Sequence, residues 1–489
     1  MSKVETRFGN IAFKGAVVTG VGQAIKVALR MVQIVVLARL LTPEDLGLVA
    51  AVAPLITFVT LFQNLGLQQA VVQRKTIEDR QINQIFWIMA FVGVFSMALV
   101  VCASPAIAYF YDDPRMTGIA EVASVPLLFG SLTALPLGLV NRQMHFGALI
   151  FNEVWGALTL LVVSVGSAFL GAGYWSLLIG SAASAFVMML TAWAYAGWRP
   201  SRPDFRIDRE IFFFGANLTS TNMLNFFARN LDNILIGKYV GVSALGYYDR
   251  AYKLLLFPLQ AINLPLGRVV IPILSRMQGD LPRIREAYMK SVSVIGLTII
   301  PGIVALAISS NETIKLLFGE RWMAAAPIFS WLGVVCVFQP IGNTVGWLFI
   351  ALGKGKQQLV MAVGTAIATS VAFIIGLRWG AEGVAAGYAL ALVGLLPLRW
   401  WYMSKVTPLS FGDWWSLYSP YFLSSGITFI IVTHSLSLLV LNDLAQLMCS
   451  VAVSYVVACT VLSMTSRGRQ SLRVIFNIVG RALRYRSAN

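Results

Sequence analysis

Charge is scarce in this chain. Of its 489 residues only 12% are Asp, Glu, Lys or Arg, against about a quarter in ordinary soluble domains. Hydrophobic residues make up 58%, and the mean hydropathy is +0.76. A soluble core cannot hide that much apolar surface, so the chain reads as an integral membrane protein. Histidine is nearly missing: His145 and His434 stand alone, which argues against a metal site. The four cysteines, Cys102, Cys336, Cys449 and Cys459, lie in apolar runs with no CxxC spacing, and read as small packing residues. Catalytic signatures are missing too. There is no Walker loop, no pair of catalytic carboxylates, no nucleophile elbow and no HExxH. These absences speak against an enzyme and an ATP-driven pump, and no cofactor is expected. No cleavable leader is expected, because MSKVETRFGN is polar and the apolar run after it is longer than a signal core.

What is present is a series of long apolar runs without the alternation of barrel strands. Run length and turn residues predict an all-α polytopic membrane protein with about fourteen spans. They fall near 12–40, 46–72, 83–110, 117–140, 148–170, 174–197, 211–237, 245–274, 287–310, 324–351, 357–377, 382–403, 414–438 and 444–465. Basic residues outnumber acidic ones 37 to 21, a formal net charge of +16. They collect in alternate loops. Lys3, Arg7, Lys14, Arg74, Lys75, Arg80, Arg142, Arg199, Arg202, Arg206, Arg209, Arg276, Arg283, Arg285, Lys290, Lys354, Lys356, Arg399, Lys405 and the tail arginines Arg467, Arg469, Arg473, Arg481, Arg484 and Arg486 fall in one set, whereas the other holds only Arg39, Arg115, Lys238, Lys315, Arg321 and Arg378. The asymmetry places both termini in the cytoplasm and supports an even number of spans. The basic excess is therefore topological, and no nucleic-acid partner is expected.

The first span carries Gln23, Lys26, Arg30 and Gln33, whose spacing of three, four and three puts all four on one helical face. At an offset of 199 a second span repeats the pattern with Asn222, Asn225, Arg229 and Asp232. Leu46-Gly47 meets Leu245-Gly246 and Asn64-Leu65 meets Asn263-Leu264 at the same offset, while Gly171-Ala172 meets Gly380-Ala381 at 209. The chain thus reads as two parallel six-helix repeats plus two extra C-terminal helices. The expected divisions are a lobe over 1–197, a cytoplasmic linker over 198–210, a lobe over 211–405, two further helices over 406–466 and a basic amphipathic tail over 467–489. Pro54 in the second helix and Pro258, Pro265 and Pro272 in the eighth are expected to interrupt those helices.

A cation in the hydrocarbon costs roughly +2.5 to +3.5 kcal/mol on insertion scales, so basic residues inside spans are expected to line a wet interior. Lys26, Arg30 and Arg229 are the leading candidates for a cationic cavity, with Gln23, Gln33, Asn222 and Asn225 as neutral hydrogen-bonding groups. Asp232 is the candidate coupling group or charge partner, and Arg250, Lys253, Asn64 and Asn263 are further candidates. Acids inside spans are few: Asp232, Asp249, Glu153 and Glu121. A net-positive cavity suits an anionic ligand, and the planar arginine fork suits phosphate in particular.

Three runs carry a family resemblance: ARLLTPEDLGLVA, LDNILIGKYVGVSALGYYDRAYKLLLFPLQAINLPLGRVVIPILSRMQ and LLFGERWMAAAPIFSWLG. They resemble the polysaccharide transport, or Wzx-type flippase, family of the multidrug/oligosaccharidyl-lipid/polysaccharide exporter superfamily, near exporters of colanic acid, succinoglycan and xanthan. The resemblance implies a two-lobed bundle in a bacterial inner membrane. It implies a flippase that moves undecaprenyl-pyrophosphate-linked oligosaccharide repeats by alternating access, among membrane lipids and beside a polysaccharide polymerase and co-polymerase. It carries over no catalytic motif. A peptidoglycan-precursor flippase, a cation-coupled multidrug exporter and a non-transporting scaffold remain alternatives at this point. The expected basic cavity disfavours export of cationic drugs.

Overall fold

Without water, an apolar stretch satisfies its own backbone best as helix, and helix is what the chain forms. The structure, a computed structural model, describes residues 3–63, 71, 77–203, 230–436, 442–465, 468–470 and 472–473, with side chains from Val18 onward apart from 62, 264, 265, 268, 435 and 436. The first six long helices are α1 (Lys3–Leu40), α2 (Pro43–Gln63), α3 (Asp79–Tyr111), α4 (Arg115–Arg142), α5 (Phe146–Phe169) and α6 (Trp175–Ala196). Residues 230–239 form α7, followed by α8 (Val242–Ser275) and α9 (Leu281–Ile308). After a short helix at Ser310–Leu317 come α10 (Ala325–Ala351), α11 (Gly355–Gly376), α12 (Gly380–Val406), α13 (Phe411–Ile430) and α14 (Asp443–Met464).

Eleven helical stretches among the described residues are long and apolar enough to cross a membrane. One of them, Gly355–Val406, contains both α11 and α12. Helix α8 is absent from the eleven although it is a single long helix; it carries Asp249, Arg250 and Lys253 near its start. Most of the expected seventh span lies outside the described residues. The protein is an all-α, multi-pass membrane protein. One expectation is corrected: α2 runs on through Pro54, and α8 through Pro258, Pro265 and Pro272. Proline removes a donor but its φ suits a helix, and in an apolar setting the remaining backbone groups have no water to turn to.

The helix ends follow local chemistry. Thr42 and Asp45 cap α2 reciprocally, Asp45 N donating to Thr42 Oγ1 at 3.1 Å and Thr42 N to Asp45 Oδ2 at 3.0 Å, with Pro43 at the first helical position. Asp280, Ser410 and Asn442 accept backbone N–H bonds at the starts of α9, α13 and α14.

The chain packs as two units, Met1–Asp249 and Arg250–Asn489. In the first, α3 packs on α4, α4 on α6, α5 on α6, and α1 on α5. In the second, α9 packs on α10, α10 on α12, and α11 on α12, which is the same scheme six helices later. The turns repeat as well. Met144 (φ 58°) and Gly353 (φ 66°) take left-handed conformations 209 residues apart, as do Gly171 (φ 82°) and Gly380 (φ 70°). Helices α13 and α14 stand outside this scheme and pack on each other and on α9. Residues 201–202 are tied to α3: Asn83 Nδ2 donates to the Arg202 carbonyl at 2.8 Å, and Ser201 N donates to Asn83 Oδ1 at 2.9 Å.

Candidate functional site: a polar stripe closed on one carboxylate

Helix α1 meets α5 closely at Gly22, where an added Cβ would lie 1.9 Å from Ile150 Cγ2. That approach brings the next turn of α1 within reach of α5. Gln23 Nε2 and Lys26 Nζ both donate to Glu153 Oε2, at 2.8 and 2.9 Å. The Lys26 and Glu153 side chains are each 35% exposed, so the pair sits at the edge of the contact. Two turns further, buried Gln33 donates to Ser164 Oγ at 3.4 Å. Arg30 lies between these contacts and is exposed; among the described residues it makes no hydrogen bond or ion pair.

The direction of Arg30 follows from the helix itself. The exposed apolar side of α1 is made by Val18, Val21, Ile25 and Val32. At 100° per residue, Arg30 points about 150° away from the middle of that side. Arg30 is therefore turned away from the exposed apolar side of the helix.

The second stripe is described only at its end. Asn222, Asn225 and Arg229 lie outside the described residues, as does Asn64. Asp232 is 4% exposed and accepts from Tyr248 Oη at 2.8 Å and from Asn233 N at 2.9 Å. Asp249 and Arg250 are buried and Lys253 is exposed. Asn263 is buried, with Nδ2 donating to the Pro340 carbonyl at 3.4 Å. Thus Gln23 and Lys26 come together on one acid, and Arg30 and Gln33 lie further along the same helix. Glu153 is the functional candidate that pattern reading did not pick out. It stood among the few acids inside spans, but only packing of α1 on α5 joins it to residues 130 and 127 positions away. Among the described residues no group of three or more His, Cys, Asp or Glu is placed to hold a metal ion.

A second charged cluster occupies the end of the first unit that holds the α1–α2 and α3–α4 turns. Arg115 bridges Glu44 at 2.7 Å and Asp113 at 2.8 Å, and Lys238 reaches Asp112 at 2.7 Å. The Arg115 guanidinium holds the Asp113 carboxyl below its ordinary range. Beside this cluster α2 and α8 touch through backbone. An added Cβ at Gly47 would lie 1.7 Å from the Val242 carbonyl oxygen, and one at Gly246 would lie 1.9 Å from that of Pro43.

Comparison with known proteins gives the family and the fold. Residues 36–327 match the family model described as "Polysaccharide biosynthesis protein". The teichuronic acid biosynthesis protein TuaB of Bacillus subtilis (strain 168) is 25% identical over 434 residues, 86% of this chain and 89% of the relative. The lipopolysaccharide biosynthesis protein WzxC of Escherichia coli (strain K12) is 25% identical, with 88% of each chain covered. The succinoglycan biosynthesis transport protein ExoT of Rhizobium meliloti (strain 1021) is 27% identical over 71% of each. Among solved structures, the lipid II flippase MurJ in an inward closed conformation superposes with a TM-score of 0.74 over 92% of this chain and 98% of that one, at 14% identity. An inward-facing transporter of the multidrug resistance MATE family, in the MOP superfamily, gives 0.62 over 80% and 98%, at 15% identity. At such identities the two structures show a shared fold.

Proposed function

This chain belongs to the polysaccharide biosynthesis protein family, and from that premise we propose that it is a flippase for lipid-linked oligosaccharide repeat units. The cargo is an oligosaccharide repeat on undecaprenyl pyrophosphate, moved across the bacterial inner membrane by alternating access for assembly of an exopolysaccharide or surface polysaccharide. Both termini face the cytoplasm, and a polymerase and co-polymerase receive the product. The names of WzxC and ExoT support the pathway, and the MurJ-like fold supports a lipid-linked cargo.

The observation that carries the reading is the α1 stripe. Inside a spanning helix, Lys26 and Gln23 are gathered by a half-open carboxylate, and Arg30 is turned away from the exposed apolar side. Such donors suit the diphosphate of the carrier lipid. Arg229, Asn222 and Asn225 contribute from the second stripe, and Gln33 adds a neutral group.

The test is polymer export in cells lacking the chromosomal gene, with membrane levels of every variant measured in parallel. Arg30→Ala and Arg229→Ala lose most export, while Arg→Lys at either place loses part, since the charge stays and the two-pronged fork goes. Wild-type export from both alanine variants at normal membrane levels sinks the anion site. Collapse of both proteins from the membrane instead assigns the arginines to structure.

A further inference from the structure

We propose that Glu153 is a built-in stand-in for the anionic head of the cargo: it holds Lys26 and Gln23 until a diphosphate takes them, and takes them back as the diphosphate leaves. The inference rests on the flippase reading above and names the residue that sets how tightly the head is held.

The way Glu153 is bonded separates it from the structural carboxylates of the same protein. Asp413 is 1% exposed, and both of its oxygens are taken, Oδ1 and Oδ2 by Arg285 at 2.7 and 2.6 Å, with Ser410 also on Oδ2. Glu153 is 35% exposed and its two donors converge on Oε2 alone. Among the described residues Oε1 accepts no hydrogen bond. A carboxylate serving only to neutralise Lys26 would gain from having both of its oxygens hydrogen-bonded. This one is open on one side and bonded on the other, as an exchangeable partner must be.

Chemistry and charge agree with exchange. The donor distances of 2.8 and 2.9 Å are those at which ammonium and amide groups also hold phosphate oxygens. In the cargo-free protein Glu153 cancels one of the two positive charges that Lys26 and Arg30 carry. A diphosphate brings about two negative charges, so a head that displaces Glu153 meets a matched pair of cations. A head that arrives while Glu153 stays in place meets a like charge. The carboxylate therefore weakens binding and hastens release, which a carrier needs if its cargo is to leave. For half-exposed charges in a protein the effect is of the order of tenfold in affinity.

The experiment measures binding to the purified full chain in lipid nanodiscs, with undecaprenyl diphosphate as probe and undecaprenol and inorganic pyrophosphate as separate arms. Glu153→Gln keeps the shape and removes the charge. It is expected to bind the diphosphate lipid about tenfold tighter, through slower dissociation, with no gain for undecaprenol. Glu153→Asp withdraws the oxygens by one methylene and gives a gain of a few-fold, so the result does not depend on one variant folding. In a Lys26→Gln background the gain shrinks, because the shared cation is gone. A gain with inorganic pyrophosphate as well as the lipid supports recognition of the head alone; a gain confined to the lipid supports the same exchange with the polyprenyl chain required. Unchanged or weaker binding in variants that melt like the wild type overturns the proposal while leaving the flippase reading in place. An equal gain for undecaprenol also overturns it. A wild-type protein that binds neither diphosphate overturns both.

Discussion

The contact between Gly47 and Gly246 yields a sharp prediction. Gly47→Ala puts a methyl 1.7 Å from the Val242 carbonyl oxygen and 2.6 Å from its carbon; Gly246→Ala puts one 1.9 Å from the Pro43 oxygen. Ordinary contact begins near 3.4 Å, so the helix starts must separate by roughly 1.7 Å for Gly47→Ala (3.4 minus 1.7) and roughly 1.5 Å for Gly246→Ala (3.4 minus 1.9). Neither obstacle is a flexible side chain. Both are main-chain carbonyls, so neither can rotate away. The shift would also disturb Leu46, Leu48 and Leu245, all buried beside the crossing, and the Lys238–Asp112 bridge. Overpacking usually costs about 1–3 kcal/mol, and a backbone obstacle belongs at the upper end, about 3 kcal/mol for either substitution. For a unit of this size that lowers the melting temperature by roughly 6–12 °C. The two changes do not add, since the first separation makes room for the second methyl; the double variant costs about 4 kcal/mol. Thermal unfolding in detergent, followed by tryptophan fluorescence, gives the readout. Gly130→Ala and Gly147→Ala are the controls, because an added Cβ there meets nothing within 4 Å. A Gly47→Ala protein that melts at or above the wild-type temperature refutes the reasoning.

Three further predictions concern other parts of the chain. Arg285→Ala leaves the buried Asp413 carboxylate without its guanidinium and lowers stability by about 2–3 kcal/mol, less than for a fully buried pair because Arg285 is half exposed; the same melting assay checks it, and a shift under 1 °C contradicts it. Asp113 has a lowered pKa in the folded protein, so its contribution is present above its unfolded pKa and fades as pH falls through the folded value. Melting temperatures taken from pH 6 down to about pH 3 should show an acid loss that Arg115→Ala reduces; an identical acid profile in the two proteins counts against it. A cysteine placed at Asp204 in intact cells should resist membrane-impermeant thiol reagents added outside, and ready labelling there would invert the topology.

Much of the architecture was legible from residue order, because each spanning helix must be long, apolar and internally bonded, and these are local properties. The repeat was legible where polar residues or glycines mark it, as at Arg30 and Arg229 or Gly47 and Gly246. It was hidden in the middle of each half, where interchangeable apolar residues carry no register. There the left-handed turns at Met144 and Gly353, and the recurring helix contacts, show it instead. The prolines of α8 misled, because sequence shows the missing donor but not the surroundings that keep the helix whole.

The α1 stripe itself was a sequence property, since spacing of three and four places Gln23, Lys26, Arg30 and Gln33 on one side of any helix. What each of them meets was not. Lys26 and Arg30 are one turn apart and alike in charge, yet one is held by Glu153 and the other is exposed. That difference comes from Gly22 letting α5 approach at one height of α1, and from which residue of α5 stands at that height. Composition and periodicity determined that this chain would be a helical membrane protein with cations inside its spans. Tertiary packing alone decided which cation received a carboxylate, because the partner lies 127 residues away and is chosen by distance in space.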